Sequence, residues 1–333
     1  MSPLLNIFSS TRNLQKRESI TVRIVGGLGN QLYILFFGLA VSSVLGSKLL
    51  IDDKLIVFGS NSDRKIEILN LKFGKIQFQF KKSYFRPRAL IKRSLIIRRI
   101  IWRMFKFQRY LVSERMIANA NFRFRLGQTF SGYYQDWFYA DFIYKTNGNF
   151  FVEVVNPTAS YENLRSELKN NQPICIHIRL GDYLNFPEIY SILPEYYYLD
   201  AINYLSSSRK LPIWVFIESK AELVTHYPNI FALTDKVIDR SVGVSDSESF
   251  ALLQESQFIV TSNSTYSLWA AWFAEKNGAN VVVPLQMGVK GGRDDLTSAR
   301  WDRYDLICKE IIPKSNQEDN YILKKRVFES KFE

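Results

Sequence analysis

A chain of 333 residues, 47% hydrophobic and 15% aromatic, can build sizeable cores as two domains or as one large α/β domain. Its two cysteines, Cys175 and Cys308, and its two histidines, His177 and His226, lie far apart, which excludes a disulfide framework, a zinc spacing and a His-rich metal site. The net charge of +12 is local: residues 81–110 carry eleven Lys and Arg and no Asp or Glu, so the chain has one basic face and is not basic throughout.

In chain order, residues 1–18 are polar and irregular, a frayed terminus whose apolar stretch is too short for a signal peptide. Ser19–Val25 alternates and is β-branched, which predicts a strand. Gly26-Gly-Leu-Gly-Asn-Gln31 is the turn after it, Leu32–Leu45 a buried helix closed by Gly46, and Lys48–Asp52 a second strand, together one βαβ unit. The turn lacks the Gly-Lys-Ser/Thr of a P-loop. It nearly fits a dinucleotide turn through Gly27 and Gly29, but Leu32 stands where a third Gly or Ala belongs. Its glycines allow close backbone approach at a helix N-terminus, where amides attract anions, and Asn30 and Gln31 add side-chain donors. The alternative is a tight structural turn.

Residues 54–80 alternate strand-like pieces with turns. Leu90–Tyr110 places apolar residues at 91, 95, 96, 100, 101, 104 and 105, a helical spacing, with basic residues between them. This basic helix, about 88–109, reads as a contact for anionic membrane or as a plain surface helix. No nucleic-acid motif accompanies it, so no nucleic-acid partner is expected. No run of about 18 apolar residues occurs, so no membrane-spanning helix is expected. The expected location is the cytoplasm, at the inner face of the cytoplasmic membrane if the basic helix docks there. Gly127–Asp141 is rich in aromatic residues. Its rings, with Gln135 and Asp136, suit either a sugar platform or core packing. Asn156-Pro157 marks a domain boundary.

Tyr161–Lys169 is a predicted helix, and Ile174–Ile178 an apolar, β-branched run typical of a strand buried on both faces of a parallel sheet. It ends in Arg179, Gly181 and Asp182, polar groups at the edge where open α/β sheets bind ligands. Arg179 can offer a planar cationic fork to phosphate; the alternative is an Arg179–Asp182 pair at an ordinary strand end. Helices follow at Glu195–Leu205, Ser245–Gln254 and Tyr266–Glu275. Strands follow at Ile213–Ile217, within Phe231–Ile238, at Phe258–Val260 and at Val281–Val283. Ser262-Asn-Ser-Thr265 precedes one of these helices and offers hydroxyls and amides to an anion, or simply an N-cap. The expected domains are 19–156, an α/β domain that includes the basic helix, and 171–312, a second doubly wound α/β domain, with 313–333 as a tail or helix. The three candidate anion sites together favour a nucleotide-diphosphate cleft.

Gly26-Gly-Leu-Gly-Asn-Gln31, Gly132-Tyr-Tyr-Gln135, His177-Ile-Arg-Leu-Gly-Asp-Tyr183 and Ser262-Asn-Ser-Thr-Tyr-Ser-Leu-Trp-Ala-Ala-Trp272 together resemble glycosyltransferase family 11, the α-1,2-fucosyltransferases, over most of the chain. The resemblance implies an α/β, GT-B-like fold, two doubly wound Rossmann-like domains facing a cleft, with the donor mainly in the second. It implies inverting, metal-independent transfer of L-fucose from GDP-fucose to the 2-hydroxyl of a galactoside, with no cofactor. The acceptor would be a galactose-terminated glycan, as in O-antigen or other surface-glycan synthesis, and a lipid-linked one would suit the basic helix. Carried over by position, Arg179, Asp182 and His177 are the catalytic candidates, with Arg179 on the donor diphosphate and Asp182 as general base or as a group that orients Arg179. Gly27, Gly29, Asn30, Gln31, Glu218, Asn263, Ser264 and Thr265 join Arg179 as donor-binding candidates. Tyr134 and Gln135 are the acceptor-binding candidates. The chain departs from the family at Leu180, where a second Arg is usual, at Leu268, where a Trp is usual, and at Glu218-Ser219, which replaces an acidic pair. The departure at Leu180 keeps open a different donor or linkage on the same fold. A non-enzymatic, membrane-surface α/β protein is the third alternative.

Overall fold

The computed structural model describes residues 18–52, 65–81, 111–148, 151–186, 190–287, 296–315 and 318–332. The basic helix expected at 88–109 lies outside these residues, as does the expected frayed terminus up to residue 17. The chain forms two compact units: Met1–Ile68, Lys75–Phe150 and Glu318–Glu333 make the first, and Leu69–Gly74 with Phe151–Gln317 the second.

In the first unit, Ser19–Arg23 (β1) leads through two glycines into Leu28–Val44 (α1), and then Lys48–Asp52 (β2). β1 and β2 pair in parallel, with Arg23 opposite Asp52. Parallel neighbours need a crossover, and α1 supplies it. The helix starts four residues earlier than the apolar pattern suggests, because Gly27 takes the N-cap position and residues 28–31 form its first turn. Fourteen of its 17 residues are buried, so it needs cover on every side. Leu71–Phe73 (β3) belongs to the second unit. Gln79–Lys81 (β4), Leu111–Ser113 (β5), Glu114–Ala118 (α2), Thr129–Ser131 (β6) and Trp137–Asn147 (α3) complete this part of the first. The sheet order is β4-β2-β1-β6-β5, with every pairing parallel. α1 packs between this sheet and α3.

The second unit begins with Val152–Val154 (β7), which pairs antiparallel with β3, and Ala159–Asn171 (α4), capped by Thr158. Ile174–His177 (β8), Glu195–Leu205 (α5), Ile213–Phe216 (β9), Lys220–His226 (α6), Pro228–Leu233 (α7) and Lys236–Ile238 (β10) follow. Asp246–Gln254 (α8) starts in a capping box between Ser245 and Glu248. Phe258–Val260 (β11), Thr265–Lys276 (α9), Asn280–Pro284 (β12), Asp302–Asp305 (β13) and Glu310–Ile312 (β14) finish a sheet of order β10-β9-β8-β11-β12-β13-β14. All of its pairings are parallel except β13 with β14. β8 and β9 are buried at every position, as their unbroken apolar runs require. The last helix, Glu318–Glu329 (α10), returns to the first unit, where Phe328 packs on Phe124, Phe138 and Phe142 at ring-centroid distances of 5.3–5.7 Å.

The expected pair of α/β units with parallel sheets is present. In each sheet the chain starts in the middle, builds outward on one side, then crosses to the other. The order therefore reverses between β1 and β6 in the first unit and between β8 and β11 in the second. Crevices for ligands open at such points, beyond the carboxyl ends of the strands. Among the described residues no helix is long and apolar enough to cross a membrane.

Candidate functional site

In the second unit the strand order β9-β8-β11 sets three strand ends in a row at the carboxyl edge. Glu218 follows β9, Arg179 follows β8, and Ser262–Thr265 follow β11. Arg179 Nη1 donates to Glu218 Oε1. This partner, 39 residues on in sequence, is one that the Arg179–Asp182 alternative did not foresee. The Arg179 guanidinium also lies over the Tyr183 ring, 5.7 Å from its centroid, and Tyr183 stacks on Tyr190 at 4.3 Å. The Tyr183 hydroxyl donates to the Asn263 carbonyl at 3.2 Å, and Asn263 Nδ2 donates to Ser191 O at 2.7 Å. Asp182 sits in the 3-10 turn Gly181–Asn185; its side chain lies outside the described residues.

His177 Nδ1 and Ser262 Oγ lie 2.9 Å apart, across the switch point. The imidazole is 7% exposed and packs against the Tyr266 ring at 5.1 Å. Burial, reinforced by the Arg179 charge, pushes its pKa down to about 3. An imidazole held neutral this firmly is a weak base near neutral pH. The geometry sets His177 against the Ser262 hydroxyl and the Tyr266 ring. Ser262 Oγ is also within 3.2 Å of Ser267 Oγ, one turn into α9. Ser264 caps α9, its Oγ accepting from Tyr266 N at 3.4 Å, so Ser264 and Thr265 carry the amide-rich, electropositive end of a 12-residue helix. Glu218 has its pKa raised by burial, which the neighbouring Arg179 charge opposes.

In the first unit the glycine turn lies at the end of β1. Gly26 has φ +79°, and a Cβ there would sit 2.8 Å from Asn30 Nδ2, so the position demands glycine twice over. Gln31 is fully buried. Its Nε2 donates to Gly26 O at 2.9 Å and Lys65 O at 2.8 Å, and its Oε1 accepts from Glu67 N at 2.9 Å and Ile68 N at 3.3 Å. That uses the capacity of the amide. Gln31 therefore locks the turn to the 65–68 segment and has nothing left for a donor, contrary to expectation. Gly27 and Gly29 are the N-cap and second residue of α1. Asn30 Oδ1 accepts from Gln135 Nε2 at 2.9 Å, so two residues assigned to different ligands meet. Tyr134, expected to touch the acceptor, is 5% exposed, stacks on Phe37 at 3.8 Å and donates its hydroxyl to Val112 O at 3.3 Å. It is a core residue. At the ends of β1 and β2, the buried Arg23 and Asp52 lie 4.0 Å apart, and burial lowers the Arg23 pKa.

The family profile described as Glycosyl transferase family 11 matches residues 19–289, a span that contains every one of these residues. The chain belongs to glycosyl transferase family 11. It is also similar to an alpha-1,2-colitosyltransferase of Escherichia coli, with 22% identity over 273 residues, 80% of this chain and 91% of that protein. Among solved structures, it is similar to the NodZ alpha-1,6-fucosyltransferase soaked with GDP-fucose, with 14% identity, a TM-score of 0.48, and coverage of 90% of this chain and 100% of the other. A mutant of FUT1 from Arabidopsis thaliana in complex with GDP matches with 12% identity and a TM-score of 0.43, over 84% of this chain and 74% of the other.

For a family 11 chain the two apolar departures take on a physical meaning. Leu180 and Leu268 are both fully buried, and Leu180 belongs to the core cluster that includes Ile178, Leu193 and Tyr198. Two contacts are not foreseen from the sequence: Tyr183 under Arg179, and Ser262, expected as an anion ligand or N-cap, on His177. Both residues stand inside the recognised motifs, so the signal was there without the contact that gives it meaning.

Proposed function

We propose that this family 11 enzyme transfers L-fucose from GDP-fucose to the 2-hydroxyl of a galactoside, with inversion and without a metal ion. The observation that supports the reading is Arg179 just past β8, the strand whose neighbour β11 leads into the amide-rich start of α9. Departure of a nucleoside diphosphate loads negative charge on its β-phosphate. A fixed guanidinium and helix-terminal amides stabilise that charge without reorganising. Inversion then needs the acceptor hydroxyl to attack from the face opposite the diphosphate while a base takes its proton. Asp182 is the proposed base. Asn263, Ser264 and Thr265 complete the donor side, and Gly27, Gly29 and Asn30 line the first unit's turn. The acceptor proposed is a galactose-terminated glycan, lipid-linked during surface-glycan synthesis, with residues 81–110 meeting anionic membrane at the cytoplasmic face.

Arg179→Ala abolishes transfer with the fold intact; near-wild-type activity overturns the reading. The assay is GDP-fucose transfer over a panel of galactose-terminated acceptors, with the new linkage read by NMR. The similarity to a colitosyltransferase favours a second reading, in which the sugar is colitose and the linkage α-1,2. Competing fucosyl and colitosyl donors in the same assay decides between them. Calorimetric titration of GDP, UDP and dTDP checks the nucleotide, and tight UDP binding without GDP binding excludes both.

A further inference from the structure

Glu218 closes on the group that the proposed donor needs. Its Oε1 accepts from Arg179, and its Oε2 is buried with no hydrogen-bond partner among the described residues. The Arg179 side chain is 24% exposed and the Glu218 side chain 19%. Position 181 leaves the same carboxylate room: Gly181 has φ +32°, and a Cβ there would lie 3.1 Å from Glu218 Oε1. Three charged or titratable groups act on Glu218 from the elements around it: Arg179 past β8, Glu222 on α6 and Tyr198 on α5. His177 contributes no charge, being held neutral. The guanidinium past β8 is therefore matched by a carboxylate of this chain.

We propose that Glu218 is a built-in counter-anion to Arg179, which the donor diphosphate displaces, so that donor binding takes up a proton at the Glu218 carboxyl. This rests on Arg179 being the diphosphate-binding residue. A nucleotide-sugar diphosphate brings about two negative charges to a guanidinium already shared with a carboxylate. Like charges in a poorly solvated site favour the protonated acid. The proton comes from solvent and lands on an oxygen that already lacks a partner. Burial has raised the proton affinity of Glu218 in the free chain, which puts the uptake closer to neutral pH. The consequence is selectivity as well as pH dependence: only a ligand with enough charge to displace Glu218 gains Arg179.

The test is calorimetric titration of the full chain with GDP-fucose from pH 5.5 to 8, in buffers of different ionisation enthalpy. A nucleotide sugar has no terminal phosphate to titrate, whereas that of GDP titrates near about pH 6 and would confuse the count. Wild type is expected to take up a fraction of a proton, with affinity falling as pH rises, by up to about tenfold per unit inside the titration window. Glu218→Gln keeps the shape and a hydrogen bond to Arg179 but removes the charge. It should bind roughly five- to tenfold tighter at pH 8 than wild type, with no uptake and a flat profile. Glu218→Ala should also show no uptake, which covers the case where the Gln variant folds poorly. Wild-type slope and proton count in both variants, with Arg179→Ala unable to bind, overturn the counter-anion and leave the diphosphate site standing. Wild-type binding by Arg179→Ala removes the site and the inference together.

Discussion

His177 Nδ1 meets Ser262 Oγ at 2.9 Å, although the two residues are 85 positions apart in sequence. The bond stitches β8 to the loop after β11, across the point where the second sheet reverses its order. In the first unit, Asn30 and Gln135, 105 positions apart, make a matching stitch between the first turn of α1, which follows β1, and the segment after β6. A crevice at a switch point exists because neighbouring strands send their connections to opposite faces of the sheet. A side-chain bond across it fixes the spacing of the two loops that a ligand must bridge.

The His177 stitch makes the fold acid-sensitive. Unfolded His titrates near about 6.5, and the folded-state value is pushed down to about 3. The native state thus favours the neutral ring, and stability from this group is complete above about pH 6.5 and is lost as pH falls towards 3. At pH 5 the loss is roughly 2 kcal/mol. Urea unfolding at pH 7.5 and pH 5 should show this drop in wild type and a clearly smaller one in His177→Gln. Equal drops would mean that the imidazole is not held neutral.

Gln31 should behave as a scaffold residue. Gln31→Ala strands two carbonyls and two amides of the 26 and 65–68 backbone, and buried groups left unpaired cost about 1–3 kcal/mol each before relaxation. A net loss of about 3 kcal/mol is expected. Gln31→Glu, which cannot donate to either carbonyl when ionised, should be no better. Thermal melts check the loss. Well below the melting point, calorimetry should find donor affinity within about twofold of wild type; a much larger drop would return Gln31 to the donor site.

The sequence reading succeeded where periodicity and strand-end chemistry speak locally. Lys48–Asp52, Glu195–Leu205 and Phe258–Val260 appear with the bounds their patterns give. It placed the motifs at the carboxyl edge because apolar β-branched runs ended there in polar residues. It could not see which polar residues would meet. Glu218 reaches Arg179 because β9 lies beside β8, a fact of strand order and not of spacing. Tyr134 reads as a sugar platform until Phe37 is found stacked on it. Gln31 reads as a donor ligand until four backbone groups take its amide.

Leu180 offers a direct test of what the missing second Arg means. If that departure weakened donor binding by loss of charge, Leu180→Arg should strengthen it. The side chain at 180 is fully buried in an apolar core cluster, where an unpaired guanidinium loses its hydration. The expected result is a destabilisation of about 3–5 kcal/mol with no gain in donor affinity. Thermal melts and calorimetry on the same preparation check both. A stable variant that binds donor more tightly would show that position 180 can face the site.

Tyr183 should set the aim of Arg179. Its ring lies 5.7 Å below the guanidinium, is held flat by the stack with Tyr190, and is tethered through its hydroxyl to Asn263 O. An exposed cation–π contact contributes about 0.5–1 kcal/mol, and more when desolvated. Tyr183→Leu removes the face on which the guanidinium rests, and donor affinity should fall roughly five- to tenfold. Tyr183→Phe keeps the ring and loses only a 3.2 Å hydrogen bond, so its loss should be about twofold to fivefold. Calorimetric titration of GDP-fucose separates the two. If both variants lose affinity equally, the hydroxyl tether carries the effect; if neither does, Glu218 and the strand end alone place Arg179.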